Sequence, residues 1–438
     1  VAESELQAAV EKYNARGGMV VVLSPGTGEI LAMATEPSFN PNAPAGAPAE
    51  ARKNRSLTDS FEPGSTFKVF TLASALEMGV VSATDRFFCE NGSYRYAGRV
   101  IHDTHRYGWL TAPEIVKFSS NIGITKISER MDGNRFYDMI RAFGFGSRTG
   151  IELRGEVPGI APSRRGFESR IRRATVSFGQ GISVTPLQLA AGVAAVVNGG
   201  KMMKPYVVRE IRDQEGRTVF RGEPQELRRV LSPKTSARMR EILGKVVEED
   251  GTGMQARIKG FLVGGKTGTA QKVEPGSGRY SATKRTASFI GFLPLNDPKL
   301  LILVVIDEPR GQVYGGVVAA PAFNRIAVKT AYYLGIQPTE TVALAAARPS
   351  GPSAPAHATP VSTARNAGVM VMPDLSGLSM GRVVDIMGGY SVKLSLAGSG
   401  VARAQTPAPG AVLVPGSECS VTFTAEPPLK IASGKEAR

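Results

Sequence analysis

Apolar and polar positions near the start of the chain set up a helix and then a hairpin. Glu3 to Tyr13 is amphipathic, and two apolar runs of strand length, Gly18–Leu23 and Glu29–Ala34, flank Ser24-Pro-Gly-Thr-Gly28. Proline and glycine between two such runs predict a tight reversal. A Pro- and Asn-rich loop, Pro37 to Pro48, follows. Phe67, Phe70, Leu72, Ala73, Leu76 and Met78 then recur at helical spacing and predict a buried helix. Pro63-Gly64 forms the turn into it, Ser65 stands at its N-terminus, and Gly79 supplies the left-handed residue that ends it. From Asp85 to Tyr107 the pattern gives short strands and loops, with His102-Asp103 as turn residues.

Capping signals organise the middle of the chain. Thr111-Ala-Pro-Glu114 starts a helix with a capping box and an early proline, and this helix runs to the polar corner Ser119-Ser-Asn121. A second helix follows over Ile122 to Met131. Ser177 to Val184 is a glycine-containing loop, and Thr185-Pro186 caps a helix, Leu187 to Val197, that is apolar nearly all round and therefore buried. Pro205 to Val219 predicts a short hairpin and Ser232 to Glu249 an amphipathic helix. Phe261 to Gln271 is a glycine-rich strand, Arg285–Leu293 and Lys299–Glu308 are two more strands, and Tyr314 leads to a helix ending near Leu334. Strands at both ends with helices between them predict an α+β layer in which the two ends share one sheet. Residues 1–335 form this domain. An Ala/Pro-rich linker spans 336–368, a small domain with a helix at Met380–Met387 and strands at Val392–Leu396 and Glu418–Phe423 spans 369–424, and 425–438 is a tail.

Composition narrows the setting. At 438 residues with 42% hydrophobic and 21% charged positions the chain is an ordinary globular protein, but its formal net charge of +15 suits an anionic environment. No Lys/Arg block interleaved with aromatics appears, so a membrane surface or an acidic wall polymer fits better than nucleic acid. The arginine run from Ser163 to Arg173 reads as a solvated face. The longest apolar runs, Leu300–Ile306 and Leu187–Val197, are too short to span a bilayer, and the abrupt amphipathic start fits the interior of a longer precursor. Cys89 and Cys419, with His102, His105 and His357, are too few and too scattered for a zinc site or a disulfide framework.

Three stretches carry candidate chemistry. Ser65 and Lys68 lie one helical turn apart on one face. Serine is a poor nucleophile unless a base takes its proton, and lysine can be that base only where desolvation and nearby positive charge disfavour its ammonium form. An N-cap serine followed by an ordinary helix lysine is the plainer alternative. Ser119 and Asn121 either project toward a site or cap helix ends. In Gly264-Gly-Lys266-Thr-Gly268-Thr269 the glycines mark either a close approach or merely a glycine-rich strand end. Counted from Gly260 this stretch matches a phosphate-binding loop formally, but no helical pattern follows Lys266-Thr267, so that reading is rejected.

In chain order the three stretches are similar to the motif set of penicillin-binding proteins and class A β-lactamases. Glu62-Pro-Gly-Ser-Thr-Phe-Lys68, Ser177-Phe-Gly-Gln-Gly181 and Gly264-Gly-Lys-Thr-Gly-Thr-Ala-Gln271 resemble class B penicillin-binding proteins, over about positions 1–335. Val369 to Thr424 resembles a PASTA domain through Met372-Pro-Asp-Leu-Ser-Gly377 and Pro409-Gly410. The resemblance implies an α+β penicillin-binding (serine-transpeptidase) fold, an antiparallel sheet flanked by helices with an all-helical part, followed by a small α+β domain. It implies Ser65 as acylated nucleophile, Lys68 as base, Ser119 as proton relay and Asn121 as a contact for the substrate amide. Lys266, Thr267, Gly268 and Thr269 would face the substrate carboxylate, with an oxyanion hole at the Ser65 and Thr269 N–H groups, and no cofactor or metal would be needed. The implied reaction is D,D-transpeptidation of peptidoglycan stem peptides, inhibited by β-lactams, with a division role ahead of elongation or sporulation. The implied setting is the extracytoplasmic face of the cytoplasmic membrane, through an N-terminal anchor outside this chain, beside a lipid II glycosyltransferase and division proteins. Two alternatives remain. A β-lactamase shares the acyl-enzyme, but Glu152, Glu156 and Glu168 lack the surroundings of the class A glutamate; a non-catalytic wall sensor would not need the complete motif set.

Overall fold

The computed structural model describes residues 1–339 except 275 and 277, and residues 371–424 except 379, 388, 389, 391, 399 and 415. The 425–438 tail, and the linker from residue 340 onward, lie outside the described residues. The chain divides into two compact units, one holding Val1–Val328 with 338–339 and the other holding Lys329–Gln337 and 371–424.

The first unit is built on a five-stranded sheet: β1 (Gly17–Leu23), β2 (Ile30–Glu36), β3 (Gly264–Val273), β4 (Tyr280–Leu293) and β5 (Leu300–Asp307). Their order is β3-β4-β5-β1-β2, and every neighbouring pair is antiparallel. The two ends of the domain thus meet where β1 pairs with β5, Val20 opposite Val304. Both strands are buried along their whole length, which is why each reads as an unbroken apolar run rather than an alternating one. Successive residues of β1 face opposite sides. Met19, Val21 and Leu23 join the large core with Phe67, Phe70 and helix Pro186–Val197, whereas Gly18 lies against Leu6 of helix Ala2–Lys12.

The helical part fills the sequence between β2 and β3. Helix Pro186–Val197 is buried at every position; the anticipated capping box of Thr111 with Glu114 is formed, and the anticipated N-cap Thr185 makes a capping box of its own with Gln188. Phe67, Phe70, Phe143 and Phe145 pack with ring centroids 4.8 to 5.3 Å apart. Ser65 lies in a 3₁₀ turn, Gly64–Phe67, and the α-helix proper starts at Lys68 and runs to Glu77. A charge cluster fastens this region to the sheet: Arg55 contacts Asp307 and Asp59 at 2.8 Å each, and Lys272 contacts Asp307 at 2.8 Å and Glu308 at 2.6 Å. Among the described residues no helix is long and apolar enough to cross a membrane.

In the second unit the helix Met380–Met387 accompanies a three-stranded sheet over a core of Met372, Leu375, Val383, Leu413, Cys419, Val421 and Phe423. Glu418–Thr424 is the central strand, parallel to Lys393–Gly398 and antiparallel to Val401–Thr406. The last of these was not legible as a strand, because in Val401-Ala-Arg-Ala-Gln-Thr406 the β-branched residues stand only at the two ends, with no aromatic and no apolar alternation between them.

The loop expected at Ser177–Val184 packs directly on the Ser65 turn. Gly64 N–H donates to Gly179 O at 3.1 Å, and Gly179 holds φ +82° with space so tight that a Cβ would sit 2.1 Å from Gly64 O. Gly179→Ala should therefore cost roughly 2 kcal/mol or more and lower the thermal unfolding midpoint by several degrees. An unchanged midpoint would show that the two turns are not in contact.

Candidate active site

Three separate elements deliver the side chains singled out in the sequence to one point. Lys68 opens its helix fully buried, and its Nζ donates to Ser65 Oγ at 3.0 Å, to Ser119 O at 2.5 Å and to Ser119 Oγ at 3.1 Å. Lys266, on the edge strand β3 and also fully buried, approaches the same hydroxyl from the other side, with Nζ 3.1 Å from Ser119 Oγ. Its other contacts are Thr267 O at 3.1 Å and Thr267 Oγ1 at 3.3 Å. Ser119 Oγ is therefore bracketed by two amines, one of which also holds Ser65.

Glycine permits the approach of β3. A Cβ at Gly268 would lie 2.3 Å from Ser288 Oγ, 2.9 Å from Thr66 Cγ2 and 3.1 Å from Pro63 O, so only glycine lets the strand lie against the Ser65 turn. Thr269 Oγ1 accepts from Gly315 N–H at 3.1 Å, and Thr267 Oγ1 pairs with Thr252 Oγ1 at 3.1 Å. Both hydroxyls stand on the wall of a cleft of about 760 Å³ that also exposes Ser65, Ser119, Asn121 and Gln180. Tyr107, Phe118 and Tyr314 add apolar lining. Asp250 is the single carboxylate among the described residues of this lining, and it pairs with Lys117 at 2.6 Å.

The corner between the two helices separates the roles left open in the sequence. Ser120, not Ser119, caps the second helix, accepting from Gly123 N–H at 2.8 Å. Ser119 has φ +64°, a conformation unfavourable for serine, and turns its hydroxyl toward the lysines. Asn121 begins the helix, its Nδ2 donating to His102 O at 2.9 Å while its side chain borders the cleft.

Burial dominates the electrostatics. It pulls Lys68 down from its ordinary value to about 7, against the opposing pull of Asp103. Lys266 is held well below its ordinary value by burial and then by the neighbouring Lys68. The two amines share one hydroxyl, so they titrate as a pair and do not both stay protonated without cost at neutral pH. A serine hydroxyl within hydrogen-bond reach of a largely neutral amine can be deprotonated, and a second hydroxyl beside that amine can carry the proton onward.

Two residues escaped the sequence reading. Asp103, taken as a turn residue, accepts from Ser120 Oγ at 2.6 Å and from the N–H groups of Asn121 and Ile122 at 2.5 and 3.0 Å. Glu62 Oε1 accepts from Gly181 N–H at 2.8 Å and Tyr280 Oη at 3.1 Å, tying the Ser65 turn to the loop after Ser177. Both act across long sequence separations; only the position of Glu62 directly ahead of Pro63-Gly64 gave a local hint. Of the glutamates weighed in the sequence, Glu156 is spent on its own loop, accepting from Thr149 N–H and Oγ1 at 2.6 Å.

Comparison with known proteins gives consistent matches. Residues 18–327 match the penicillin binding protein transpeptidase domain. Stage V sporulation protein D of Bacillus subtilis is 35% identical over 97% of this chain and 64% of that protein. The peptidoglycan D,D-transpeptidase FtsI of Escherichia coli is 38% identical over 76% of this chain and 54% of that protein. The chain thus spans less than two thirds of the length of these relatives. Penicillin-binding protein 3 of Mycobacterium tuberculosis, solved in complex with aztreonam, superposes with a TM-score of 0.72 at 30% identity, covering 77% of this chain and 78% of that one. Because the family match takes in the whole helical part and the strands that carry the site, this chain belongs to the penicillin-binding protein transpeptidase family.

Proposed function

We propose that the chain is a serine D,D-transpeptidase of peptidoglycan synthesis, and the observation that carries this reading is Lys68 Nζ bridging Ser65 Oγ and Ser119 Oγ. Neutral Lys68 takes the Ser65 proton as Oγ attacks the carbonyl carbon of the penultimate D-Ala of a stem peptide. The oxyanion forms between the N–H groups of Ser65 and Thr269. As the tetrahedral centre collapses, the C–N bond to the terminal D-Ala breaks and Ser119 passes the proton from Lys68 to the departing amine. An amine of a second stem then attacks the ester, the proton returns to Ser65 through the same groups, and the cross-link is made. Asn121 holds the donor's amide. Lys266, Thr267 and Thr269 hold its terminal carboxylate, with Gly268 keeping the strand close, and an arriving carboxylate favours a proton on Lys266.

A β-lactam follows the first half of this path, but its leaving nitrogen stays tethered and Ser65 stays blocked. The relatives named as a stage V sporulation protein and as a peptidoglycan D,D-transpeptidase support work in wall assembly; the setting we assign is the septal or spore wall, at the extracytoplasmic face of the cytoplasmic membrane beside a lipid II glycosyltransferase and division proteins. The division of labour we propose assigns catalysis to residues 1–335 and a PASTA-like spacer or muropeptide-binding role to 369–424, across the 336–368 linker.

A labelled penicillin should form one adduct per chain, mapped by mass spectrometry to Ser65, and Ser65→Ala should abolish it; labelling that survives would remove Ser65 from its role. Lys68→Ala should slow acylation by roughly 10²–10⁴-fold without loss of reversible binding. The adduct should be long-lived, whereas rapid recovery with product release would indicate a β-lactamase, and intact stem peptides that bind without turnover would indicate a receptor.

The pH profile follows from the lowered Lys68 value. Because the base is the neutral amine, the acylation rate should rise as pH rises through about 7 and level off above it. A rate that is flat between pH 5.5 and 8.5, read by stopped flow with a chromogenic cephalosporin, would exclude Lys68 as the base.

A further inference from the structure

The Ser119 corner is held in an unfavourable conformation by a group outside all three motifs. Asp103 follows the strand Arg99–His102, and both of its carboxylate oxygens are used on the corner: one takes Ser120 Oγ–H, the other takes the N–H groups of Asn121 and Ile122. The preceding carbonyl, His102 O, takes Asn121 Nδ2. Two consecutive residues of one strand end thus grip three consecutive residues of the corner, at the one place where Ser119 must keep a positive φ.

The same carboxylate is also the anion that Lys68 feels. Against Lys68 lie Ser65 Oγ from its own turn, Ser119 O and Oγ from the corner, and Lys266 from β3 across the shared hydroxyl. Cys89 and Tyr107 also feel Asp103, both kept neutral by burial with Asp103 adding to the effect; His102 precedes it in the chain and His105 follows two residues on, and Glu90 and Lys126 pair with each other beyond Cys89. Asp103 is therefore the carboxylate that opposes the burial of Lys68.

We propose that Asp103 is a positioning residue for acyl transfer: its hydrogen bonds fix the corner that presents Ser119 and Asn121, and its charge stabilises the protonated Lys68 that exists between attack and proton relay. No bond to Asp103 is made or broken. It acts through Ser119, Ser120 and Lys68, and it raises the pH at which the base becomes available against the larger lowering by burial. This inference rests on the reading of Lys68 as base.

The test is the acylation rate of the full chain against pH, with a chromogenic cephalosporin, for the wild type, Asp103→Asn and Asp103→Ala, beside their thermal unfolding midpoints. The asparagine is isosteric and can still accept from Asn121 and Ile122, so its unfolding midpoint should stay close to the wild type. Removing the negative charge makes Lys68 easier to deprotonate, so the rising limb of the profile should move to lower pH by roughly one unit, about tenfold in neutral amine at pH 6. Asp103→Ala loses the grip as well, and at pH 8.5, where the base is already neutral, its acylation should fall more than about tenfold while Asp103→Asn stays much closer to the wild type. A wild-type limb that Asp103→Asn leaves in place overturns the role of Asp103 and spares Lys68. A wild type with no limb at all overturns the Lys68 reading and this one with it. Wild-type acylation by a folded Asp103→Ala at pH 8.5 overturns the positioning role; if that variant does not fold, the asparagine profile decides.

Discussion

Two fully buried lysine amines must share one serine hydroxyl, and the domain is arranged around making that tolerable. Isolated ammonium groups would be very costly at zero exposure, so each amine is given oxygen partners, and burial lowers both from their ordinary values, Lys68 to about 7. Lys68 leans on the carbonyl and hydroxyl of Ser119, and Lys266 on the carbonyl and hydroxyl of Thr267. An apolar pair would fill the same volume more stably, so the stability forgone is the measure of how far the site is shaped for proton transfer.

The neighbours of these amines come from distant stretches, and the backbone makes room in specific places. Gly268 lets the edge strand lie on the Ser65 turn, and Gly179 lets the loop after Ser177 lie on its other side. Ser65 is thus clasped between a strand edge and a loop, with Glu62 bonded to the loop and to Tyr280 of β4. Behind it, the packed rings of Phe67, Phe70, Phe143 and Phe145 give the first turn of the Lys68 helix a rigid backing. The charge cluster of Arg55, Asp307 and Lys272 pins the segment leading to Ser65 to the far end of the same strands.

Much of this was legible in the residues because local rules and tertiary structure agree. The β1–β2 hairpin, the Thr111 capping box, the Thr185 N-cap and the wholly buried helix behind it follow from turn chemistry and apolar periodicity, and all form where the pattern placed them. That Ser65, Lys68, Ser119 and Lys266 belong together came from a family resemblance, since no spacing rule joins residues so far apart. The capping function at Ser119-Ser-Asn121 fell to Ser120, a choice between adjacent serines that depends on which one must point at the lysines. Asp103 was passed over because an aspartate after a short strand is what any turn would carry. Its partners lie nearly twenty residues away. In the smaller unit Val401–Thr406 pairs with the central strand although only Ala402 of its side chains is buried in the core, which leaves little signal to announce it.

The pairing of β1 with β5 carries one further meaning, for the order of events in synthesis. A ribosome releases Gly17–Leu23 long before Leu300–Asp307 exists, so β1, paired early with β2, waits for its second partner almost the whole length of the domain away. The helical part, rich in nearby contacts, can form in that interval and can seat Lys68 against Ser119, but the strand bearing Lys266 joins only as the sheet is completed around it. Completion of the Ser65–Lys68–Ser119–Lys266 cluster is therefore tied to emergence of the C-terminal strands: a truncated or nascent chain carries Ser65 yet lacks the second amine and the strand edge beside it.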